Sequence, residues 1–233
     1  MAVKLAVFDL DGTLTVAHGD VRLSCCAVRL VRALESSGVK VSIVTGNSLP
    51  VALGIARYLG ASGPVAAENG CVVGRGEWVL HLCEGRVPRE LVDEVLKLGF
   101  RESWQNSYRF HEVALIPEDR SLDKVARASE IARSRGFNAV WTGYALHIQP
   151  PGGGKLAGLL KVMEVSGVGR EEVLVVGDGD NDVEMMSYAA FSGAPGDASP
   201  AAKAAALYVA KLPGALGAAE AVERILGVRV KCS

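Results

Sequence analysis

The stretch that decides the fold is Leu5-Ala6-Val7-Phe8-Asp9-Leu10-Asp11-Gly12-Thr13-Leu14. Its apolar first part, bounded by a glycine turn, predicts a buried strand of a parallel sheet. Because ligands in open parallel sheets bind at the carboxyl ends of the strands, Asp9 and Asp11 stand where chemistry is expected. Two carboxylates about 4 Å apart repel by roughly 4 kcal/mol at an effective dielectric constant of 20, and a hard cation such as Mg²⁺ would neutralise them. Taken alone, the tetrapeptide is equally compatible with an ordinary solvated turn.

The same rhythm of strands and helices continues on both sides of a different middle segment. Before that segment, the pattern predicts a helix over 23–37, a strand over 39–44, a helix over 49–59, a strand over 65–67 and a hairpin. After it, the pattern predicts helices over 155–165, 182–188 and 215–226 and strands over 173–176, 190–192 and 207–210. Strands that alternate with helices imply right-handed crossovers and a parallel sheet. We therefore predict an α/β fold with a Rossmann-like parallel-sheet core.

The middle segment, residues 84–151, has a different order of predicted helices and strands. It predicts helices over 89–98 and 122–135 and strands over 110–116, 138–141 and 145–149, which is an α+β pattern. The run Pro150-Pro151-Gly152-Gly153-Gly154 can continue neither a helix nor a strand and suits a hinge. We therefore predict a core domain made of residues 1–83 and 152–233, with a smaller α+β domain inserted at 84–151. The hinge suggests that the inserted domain opens and closes, which would exclude water from a site between the two domains.

Composition narrows the class of protein. The chain has 233 residues, of which 49% are hydrophobic, and a net charge of -1, so it can bury a sizeable core but has no general attraction to nucleic acid or anionic lipid. No run is apolar enough for a membrane span, and no signal peptide is recognised. The five cysteines form no C-x-x-C pair and are odd in number, so we expect reduced, mostly buried thiols in a cytoplasmic protein. The scarcity of asparagine and glutamine favours a thermophilic source.

Three predicted strands end in polar groups, and a lysine opens the helix that precedes the last of them. In chain order these groups are Asp9 and Asp11, Thr45 and Asn47, Lys155, and Asp178, Asp180 and Asp182. Each of these groups alone is weak evidence for a functional site, because acidic clusters are often solvated loops and a lone lysine usually lies on the surface. Together at one sheet edge they predict phosphoryl transfer. Carboxylates would hold a metal, lysine and hydroxyl donors would bind phosphate oxygens, and a carboxylate nucleophile would split hydrolysis into two steps. The residues alone do not say which aspartate attacks.

These residues resemble the motifs of the haloacid dehalogenase superfamily of phosphohydrolases. All four of its motifs match, as Asp9-Leu10-Asp11-Gly12-Thr13, Thr45-Gly46, Lys155 and Gly177-Asp178-Gly179-Asp180-Asn181-Asp182. The insert lies between the second and third motifs, as in the Cof-type branch with an α+β cap, and Glu68-Asn69-Gly70 is also typical of that branch. Within the superfamily the chain most resembles archaeal phosphoglycolate phosphatases, in Ser42-Ile43-Val44-Thr45-Gly46-Asn47 and Gly143-Tyr144-Ala145-Leu146-His147.

The resemblance implies a role for each matching residue. Asp9 is expected to be the nucleophile and a metal ligand, and Asp11 the general acid and base, with its backbone carbonyl on the metal. The metal site is completed by Asp178 and Asp182, and the expected substrate-binding residues are Thr45, Gly46, Asn47, Lys155 and Asn181.

The implied reaction is the Mg²⁺-dependent hydrolysis of 2-phosphoglycolate through an aspartyl-phosphate intermediate. The partner would be a small phosphorylated metabolite, with no nucleic acid and no membrane. The chain would act as a monomer or a homodimer. Mn²⁺ and Co²⁺ stay open as alternative activating ions.

Specificity is expected from the cap, because the core handles only the phosphate. The carboxylate of a small acid calls for a cation, ideally a bidentate arginine, and Arg109 is the predicted substrate-binding residue there. His147 is a weaker candidate, since it alternates with Leu146 and Ile148 and is expected on the solvent face of a strand. Glu68 and Asn69 either line the cleft or merely close a turn.

Two other interpretations are compatible with parts of the pattern. A phosphosugar phosphatase or a phosphomutase would use the same scaffold for another substrate or acceptor. A receiver module that accepts a phosphoryl group without turnover also combines aspartates, lysine and threonine on a parallel sheet. Such a module would be about half this length, would lack the inserted cap, and would not place a second aspartate two residues after the first.

Overall fold

The structure, a computed structural model, describes residues 2–119 and 121–232. Its strands are β1 (Leu5–Phe8), β2 (Lys40–Val44), β3 (Val65–Ala67), β4 (Val72–Arg75), β5 (Trp78–His81), β6 (Phe100–Glu102), β7 (Val113–Pro117), β8 (Asn138–Trp141), β9 (Leu146–Gln149), β10 (Val173–Val176), β11 (Phe191–Ala194) and β12 (Tyr208–Val209). Its helices are α1 (Cys25–Ser36), α2 (Leu49–Leu59), α3 (Arg89–Leu96), α4 (Leu122–Ser134), α5 (Lys155–Ser166), α6 (Val183–Tyr188), α7 (Pro200–Ala205) and α8 (Gly214–Leu226).

The larger sheet has eight strands in the order β12-β11-β10-β1-β2-β3-β4-β5. The six strands from β12 to β3 are parallel, and β4 and β5 complete the sheet as an antiparallel hairpin. All four residues of β1 are buried, as a strand covered by helices on both faces requires. One apolar layer includes α1, α2 and α8, and the other includes α5, α6 and α7. The predicted α/β fold with a parallel-sheet core is confirmed.

The smaller sheet is antiparallel, with the order β6-β7-β9-β8. Helices α3 and α4 cover one face with a second apolar core. Side chains of β9 alternate, so Leu146 and Ile148 enter that core whereas His147 points to the opposite face. The predicted strand over 110–116 starts only at Val113, which leaves Arg109 in the preceding loop. The separate sheet fits an inserted cap, and the domain bounds themselves stay a prediction.

Some short elements had no sequence signal. Strand β6 has three residues, and α7 is a six-residue, alanine-rich helix whose apolar face is too short to show a period. By contrast, the predicted bounds of α2, β3, β8 and β10 match the observed ones. Helix α1 begins after Ser24, whose side chain accepts a hydrogen bond from the Cys26 backbone N–H and so caps the helix.

Four cysteines form two disulfides, which corrects the expectation of reduced thiols. Cys71 pairs with Cys83, and Cys26 pairs with Cys232 across 206 residues of sequence. Among the residues described, the exposed Cys25 is free. Spacing could not reveal the long-range pair, because Cys232 reaches α1 only when the C-terminal tail packs on the core. Disulfides are rare in cytosolic proteins, except in those of hyperthermophiles. The two disulfides therefore agree with the thermophilic source that the scarcity of asparagine and glutamine favours.

The Cys71–Cys83 disulfide lies where the chain enters and leaves the smaller sheet. A Cβ on Gly153 would lie 2.8 Å from the Cys71 sulfur and 3.0 Å from the Cys83 sulfur. Glycine therefore lets the returning linker pack directly on the disulfide.

No helix in the described part of the chain is long and apolar enough to cross a membrane.

Replacing Cys232 by alanine is expected to destabilise the oxidised protein. Loss of a cross-link over 206 residues removes up to about 5 kcal/mol in the chain-entropy model, because the unfolded chain regains freedom. Guanidinium denaturation without reductant measures the free energy of unfolding. Cys25→Ala is the control and should leave the midpoint unchanged, whereas equal midpoints for wild type and Cys232→Ala would contradict the pairing.

Candidate active site

Three neighbouring strands of the larger sheet deliver the chemical groups to one edge. Strand β1 lies between β10 and β2, and all three run parallel. Asp9 directly follows β1, Thr45 directly follows β2, and Asp178 comes two residues after β10. Their meeting at the carboxyl edge of the sheet is a consequence of strand order, as expected for ligand sites of open parallel sheets.

Lys155, the first residue of α5, is the buried cation of this edge. Its Nζ donates to Oδ1 of Asp9 at 2.7 Å and to Oδ1 of Asp182 at 2.6 Å. Burial alone would lower the pKa of Lys155, but the charges of Asp182 and Asp9 outweigh it and raise that pKa above its usual value. The site therefore keeps a permanent positive charge between two carboxylates.

Three buried carboxylates cluster around that lysine. Asp9, Asp178 and Asp182 each offer an oxygen, and these oxygens lie within 4.8 Å of one another. Burial raises the pKa of Asp9 well above its usual value, and the charges of Asp182 and Asp178 add to this against the opposing charge of Lys155. A set of hard oxygen donors with excess negative charge fits a divalent cation such as Mg²⁺.

The fourth motif folds so that its own backbone holds one of these carboxylates. Oδ2 of Asp182 accepts hydrogen bonds from the backbone N–H groups of Asp178 at 3.0 Å and Gly179 at 2.9 Å. Its Oδ1 faces Lys155, so both carboxylate oxygens have defined partners. The side chain is thus fixed before any ligand arrives.

The loop after β1 holds the third carboxylate. The Thr13 hydroxyl donates to Oδ1 of Asp178 at 2.8 Å, and Nδ1 of His18 lies 2.7 Å from its Oδ2. The hydrogen bond to Asp178 raises the pKa of His18 above its usual value. Gly12 has a φ of 88°, and a Cβ there would lie 2.0 Å from the Asp178 carboxylate, so only glycine allows this approach.

Asn47 connects the core to the inserted sheet. Its Nδ2 donates to Oδ2 of Asp11 at 2.6 Å and to Oγ1 of Thr45 at 3.1 Å. Its Oδ1 accepts from Nε2 of Gln105 at 2.7 Å. The backbone N–H of Ser48 in turn donates to Oε1 of Gln105 at 2.8 Å.

Glu68 fastens the inserted segment to the core. Its buried carboxylate accepts hydrogen bonds from three successive backbone N–H groups, those of Phe110, His111 and Glu112, at 2.8 to 3.0 Å. Glu68 and Asn69 both have left-handed backbone, with φ of 51° and 47°. Such backbone costs about 1–2 kcal/mol per residue, which the three hydrogen bonds offset. The pair therefore closes a turn and also binds the cap.

A buried ionic cluster surrounds Glu112 at the same junction. Its Oε1 accepts from Arg109 and from Nδ1 of His147, and its Oε2 accepts from Nδ2 of Asn69 at 2.7 Å. Burial alone would raise the pKa of Glu112, but the charges of His147 and Arg109 outweigh it and lower that pKa. His147 is buried, so its predicted place on a solvent face is wrong: the sheet turns that face toward the core.

Arg109 is almost fully enclosed in this cluster. Its side chain is 2% exposed, and its Nη2 donates to the backbone carbonyl of Gly46 at 2.8 Å. The ring of His147 lies against the same turn, with Cε1 3.3 Å from the point where a Cβ on Gly46 would lie. Absence of a side chain at Gly46 therefore makes room for the cap.

A cavity of about 340 Å³ lies between the two sheets, beside the lysine. Within it, Asn181 donates from Nδ2 to Oδ1 of Asn69 at 3.2 Å. The lining residues come from both the core and the inserted sheet, and they are Asn69, Ala139, Val140, Trp141, Gln149, Gly154, Lys155, Asp180, Asn181 and Glu184.

Most of the predicted core residues thus form two groups, one around Lys155 and one around Asn47. Asn181 instead contacts Asn69, and the Gly46 carbonyl accepts from Arg109. Sequence reasoning missed His18, Gln105 and Glu112. Each of them acts across a long sequence separation, between 35 and 160 residues, so neither periodicity nor spacing carried a signal.

Comparison with known proteins places this geometry among enzymes. A family model described as haloacid dehalogenase-like hydrolase matches residues 6–130 and 100–221. The chain is 52% identical to a phosphoglycolate phosphatase of Aeropyrum pernix over 226 residues, covering 97% of this chain and 95% of that protein. It is 39% identical to one of Metallosphaera sedula over 225 residues, covering 96% and 99%. A Thermoplasma acidophilum crystal structure superposes with a TM-score of 0.86 at 26% identity, covering 96% and 98%. The resemblance seen in the motifs is confirmed.

Mg²⁺ is expected to stabilise the fold, because it relieves the repulsion among Asp9, Asp178 and Asp182. A ligand at one hundred times its Kd adds about 2.7 kcal/mol of apparent stability. Calorimetric Tm values in EDTA and in excess Mg²⁺ measure the effect. Asp178→Asn should abolish most of the Mg²⁺-dependent rise, and Asp123→Asn, at an exposed position of α4, should retain it. An undiminished rise in Asp178→Asn would contradict the metal site.

Proposed function

The chain belongs to the haloacid dehalogenase-like hydrolase family, and on that premise we propose that it is a Mg²⁺-dependent phosphomonoesterase that hydrolyses 2-phosphoglycolate to glycolate and phosphate. The observation that carries the proposal is the ammonium of Lys155 held between Asp9 and Asp182, with Asp178 in the same buried cluster. This arrangement offers one nucleophilic carboxylate, one phosphate-binding cation and a set of metal ligands at one sheet edge.

In the first step, the Asp9 carboxylate attacks phosphorus. A bond forms between an Asp9 oxygen and phosphorus, and the bond from phosphorus to the leaving alkoxide breaks. Asp11 donates its proton to that alkoxide as it leaves. Lys155 and the hydroxyl of Thr45 bind the non-bridging phosphate oxygens and their charge in the transition state.

In the second step, water hydrolyses the aspartyl-phosphate. Asp11, now ionised, takes a proton from the attacking water, the bond between Asp9 and phosphorus breaks, and phosphate leaves. When bound by Asp9, Asp178, Asp182 and the backbone carbonyl of Asp11, Mg²⁺ supplies positive charge that lets a carboxylate approach an anionic phosphate.

Two features of the cap region support a small acidic substrate. The cavity beside Lys155, of about 340 Å³, lies at the lower end of ligand-site volumes, which suits a small phosphate ester. Arg109 brings a guanidinium and His147 an imidazole to the turn that follows Thr45. The names of the curated relatives point to the same substrate.

In the buried cluster around Glu112, His147 is better placed than Arg109 for direct contact with the carboxylate of the substrate. Glu112, a carboxylate of lowered pKa, can only accept, so Nδ1 of His147 donates to it. Nε2 is left for a ligand, and it donates to a substrate carboxylate when the ring carries its second proton. Both Nη atoms of Arg109 are bonded, to Glu112 and to the Gly46 carbonyl. The predicted contact of Arg109 with the substrate stays part of the proposal. Because its Nη atoms are already bonded, Arg109 would act on the substrate carboxylate mainly through its positive charge.

Asp9→Asn is expected to lower phosphate release from 2-phosphoglycolate by at least about 10³-fold, because the amide cannot attack phosphorus. Initial rates with Mg²⁺ over a panel of 2-phosphoglycolate, sugar phosphates, nucleotides and pyridoxal phosphate measure both rate and preference. The exposed Asp123→Asn is the control. Activity that survives in Asp9→Asn would overturn the nucleophile.

The same panel separates the rival functions. A kcat/KM preference for sugar phosphates, still lost in Asp9→Asn, would keep the mechanism and discard the substrate. Transfer of phosphate between sugar hydroxyls with little free phosphate would indicate a phosphomutase. A phosphorylated protein without turnover would indicate a receiver module.

His147→Asn is expected to raise KM for 2-phosphoglycolate about tenfold while leaving kinetics with ethyl phosphate within about twofold. The asparagine amide can replace Nδ1 toward Glu112 but has no group at the position of Nε2, so only the proposed carboxylate contact is lost. His81→Asn, on β5, is the control. Equal effects on both esters would show that His147 does not recognise the carboxylate.

A further inference from the structure

A continuous line of hydrogen bonds runs from the cap to the carboxylate of Asp11. Ser48 N–H donates to Oε1 of Gln105 at 2.8 Å, Nε2 of Gln105 donates to Oδ1 of Asn47 at 2.7 Å, and Nδ2 of Asn47 donates to Oδ2 of Asp11 at 2.6 Å. Among the described residues, Asn47 is the side chain that hydrogen-bonds the Asp11 carboxylate. The orientation of that carboxylate therefore depends on two amides, one of which belongs to the cap.

The direction of this line is set at its start. A backbone N–H can only donate, so the atom of Gln105 that meets Ser48 is its carbonyl oxygen. The amide nitrogen of Gln105 must then face Asn47, which in turn presents its oxygen to Gln105 and its nitrogen to Asp11. Because Oδ2 of Asp11 accepts from that nitrogen, Oδ1 is the oxygen left to serve the leaving group.

Gln105 is held in the cap by local hydrogen bonds. It lies in the one-turn helix Trp104–Tyr108, which Ser103 caps by accepting from the Gln105 backbone N–H. In the same turn, the side chain of Asn106 both donates to the carbonyl of Ala114 and accepts from its N–H, which pins the turn to β7. A displacement of the cap from the core would carry Gln105 away from Asn47.

We propose that Gln105 is a positioning residue that acts through Asn47 to hold the Asp11 carboxyl toward the leaving group only when the cap lies on the core. The proposal rests on the proposed function, in which Asp11 protonates the leaving alkoxide. It makes docking of the cap a condition of acid catalysis, in addition to any contact that the cap makes with the substrate.

The test uses leaving groups that differ in their need for a proton. An alkoxide must be protonated as it departs, whereas p-nitrophenolate leaves without help. The parameter kcat/KM covers the steps up to departure of the leaving group and is independent of later hydrolysis of the aspartyl-phosphate. Comparison of kcat/KM for 2-phosphoglycolate, ethyl phosphate and p-nitrophenyl phosphate therefore isolates the proton that Asp11 gives.

Gln105→Leu is expected to lower kcat/KM about tenfold for both alkyl esters and less than about twofold for p-nitrophenyl phosphate. Gln105→Glu should lower kcat/KM for ethyl phosphate further than Gln105→Leu does. Its carboxylate accepts from Ser48 but cannot donate, so Asn47 would reverse its amide and turn an oxygen toward Asp11. A merely structural role would give the opposite order, since glutamate is the closer match in shape.

Two reference variants complete the experiment, with Tm values recorded for every variant. Asp11→Asn should lower kcat/KM for the alkyl esters by about 10²–10⁴-fold and far less for p-nitrophenyl phosphate. Trp104→Ala, an exposed neighbour in the same turn, should leave all ratios unchanged.

Equal losses on all three esters in both Gln105 variants, or none, would overturn the role of Gln105 while Asp11→Asn still shows its leaving-group dependence. If Asp11→Asn itself shows no such dependence, the acid role in the proposed function fails instead.

Discussion

The repulsion among three buried carboxylates is the constraint on which the rest of this structure depends. Oxygens of Asp9, Asp178 and Asp182 lie within 4.8 Å of one another, where each pair of full charges repels by at least about 3.5 kcal/mol at an effective dielectric constant of 20. Hydrogen-bond donors of the fold offset part of this repulsion. They are the ammonium of Lys155, two backbone N–H groups of the fourth motif and the hydroxyl of Thr13. These donors leave excess negative charge in the cluster, which fits a divalent cation.

The junction between the two sheets is polar and buried, which is unusual for a contact whose purpose is stability alone. Glu68 binds three backbone N–H groups of the cap, and Glu112 collects Arg109, His147 and Asn69. Buried ion pairs contribute little net stability, because desolvation offsets their attraction. What they contribute is definite geometry: this junction is held by hydrogen bonds at fixed places, while the cavity lies beside it, between Trp141 and Glu184. Any motion about the predicted Pro-Gly hinge would therefore be restrained on the side of these hydrogen bonds and freer on the side of the cavity.

Features with a local cause were predictable from the sequence. Strand β1 with its two aspartates, the Ser24 cap of α1 and the lysine that opens α5 all follow from apolar runs, capping residues and turns. Features that arise from tertiary contact were not. The burial of His147 depends on which face of the small sheet meets the core, and the Cys26–Cys232 disulfide depends on the path of the last residues. Gln105 is an ordinary polar residue until the fold places it against Asn47.

The bond between Cys26 and Cys232 also determines how the molecule would respond to a pulling force. Helix α8 ends at Leu226, so it would be the first element to peel away if tension were applied to a free C-terminus. With Cys232 bonded to α1, tension applied at that point bypasses α8 and enters the chain beside the central strands β1 and β2. Strands in the middle of a sheet separate only when many hydrogen bonds break together. Tension applied at Cys232 would therefore reach α1, and through it the connections to β1 and β2, before it reached α8, with the covalent loop still closed.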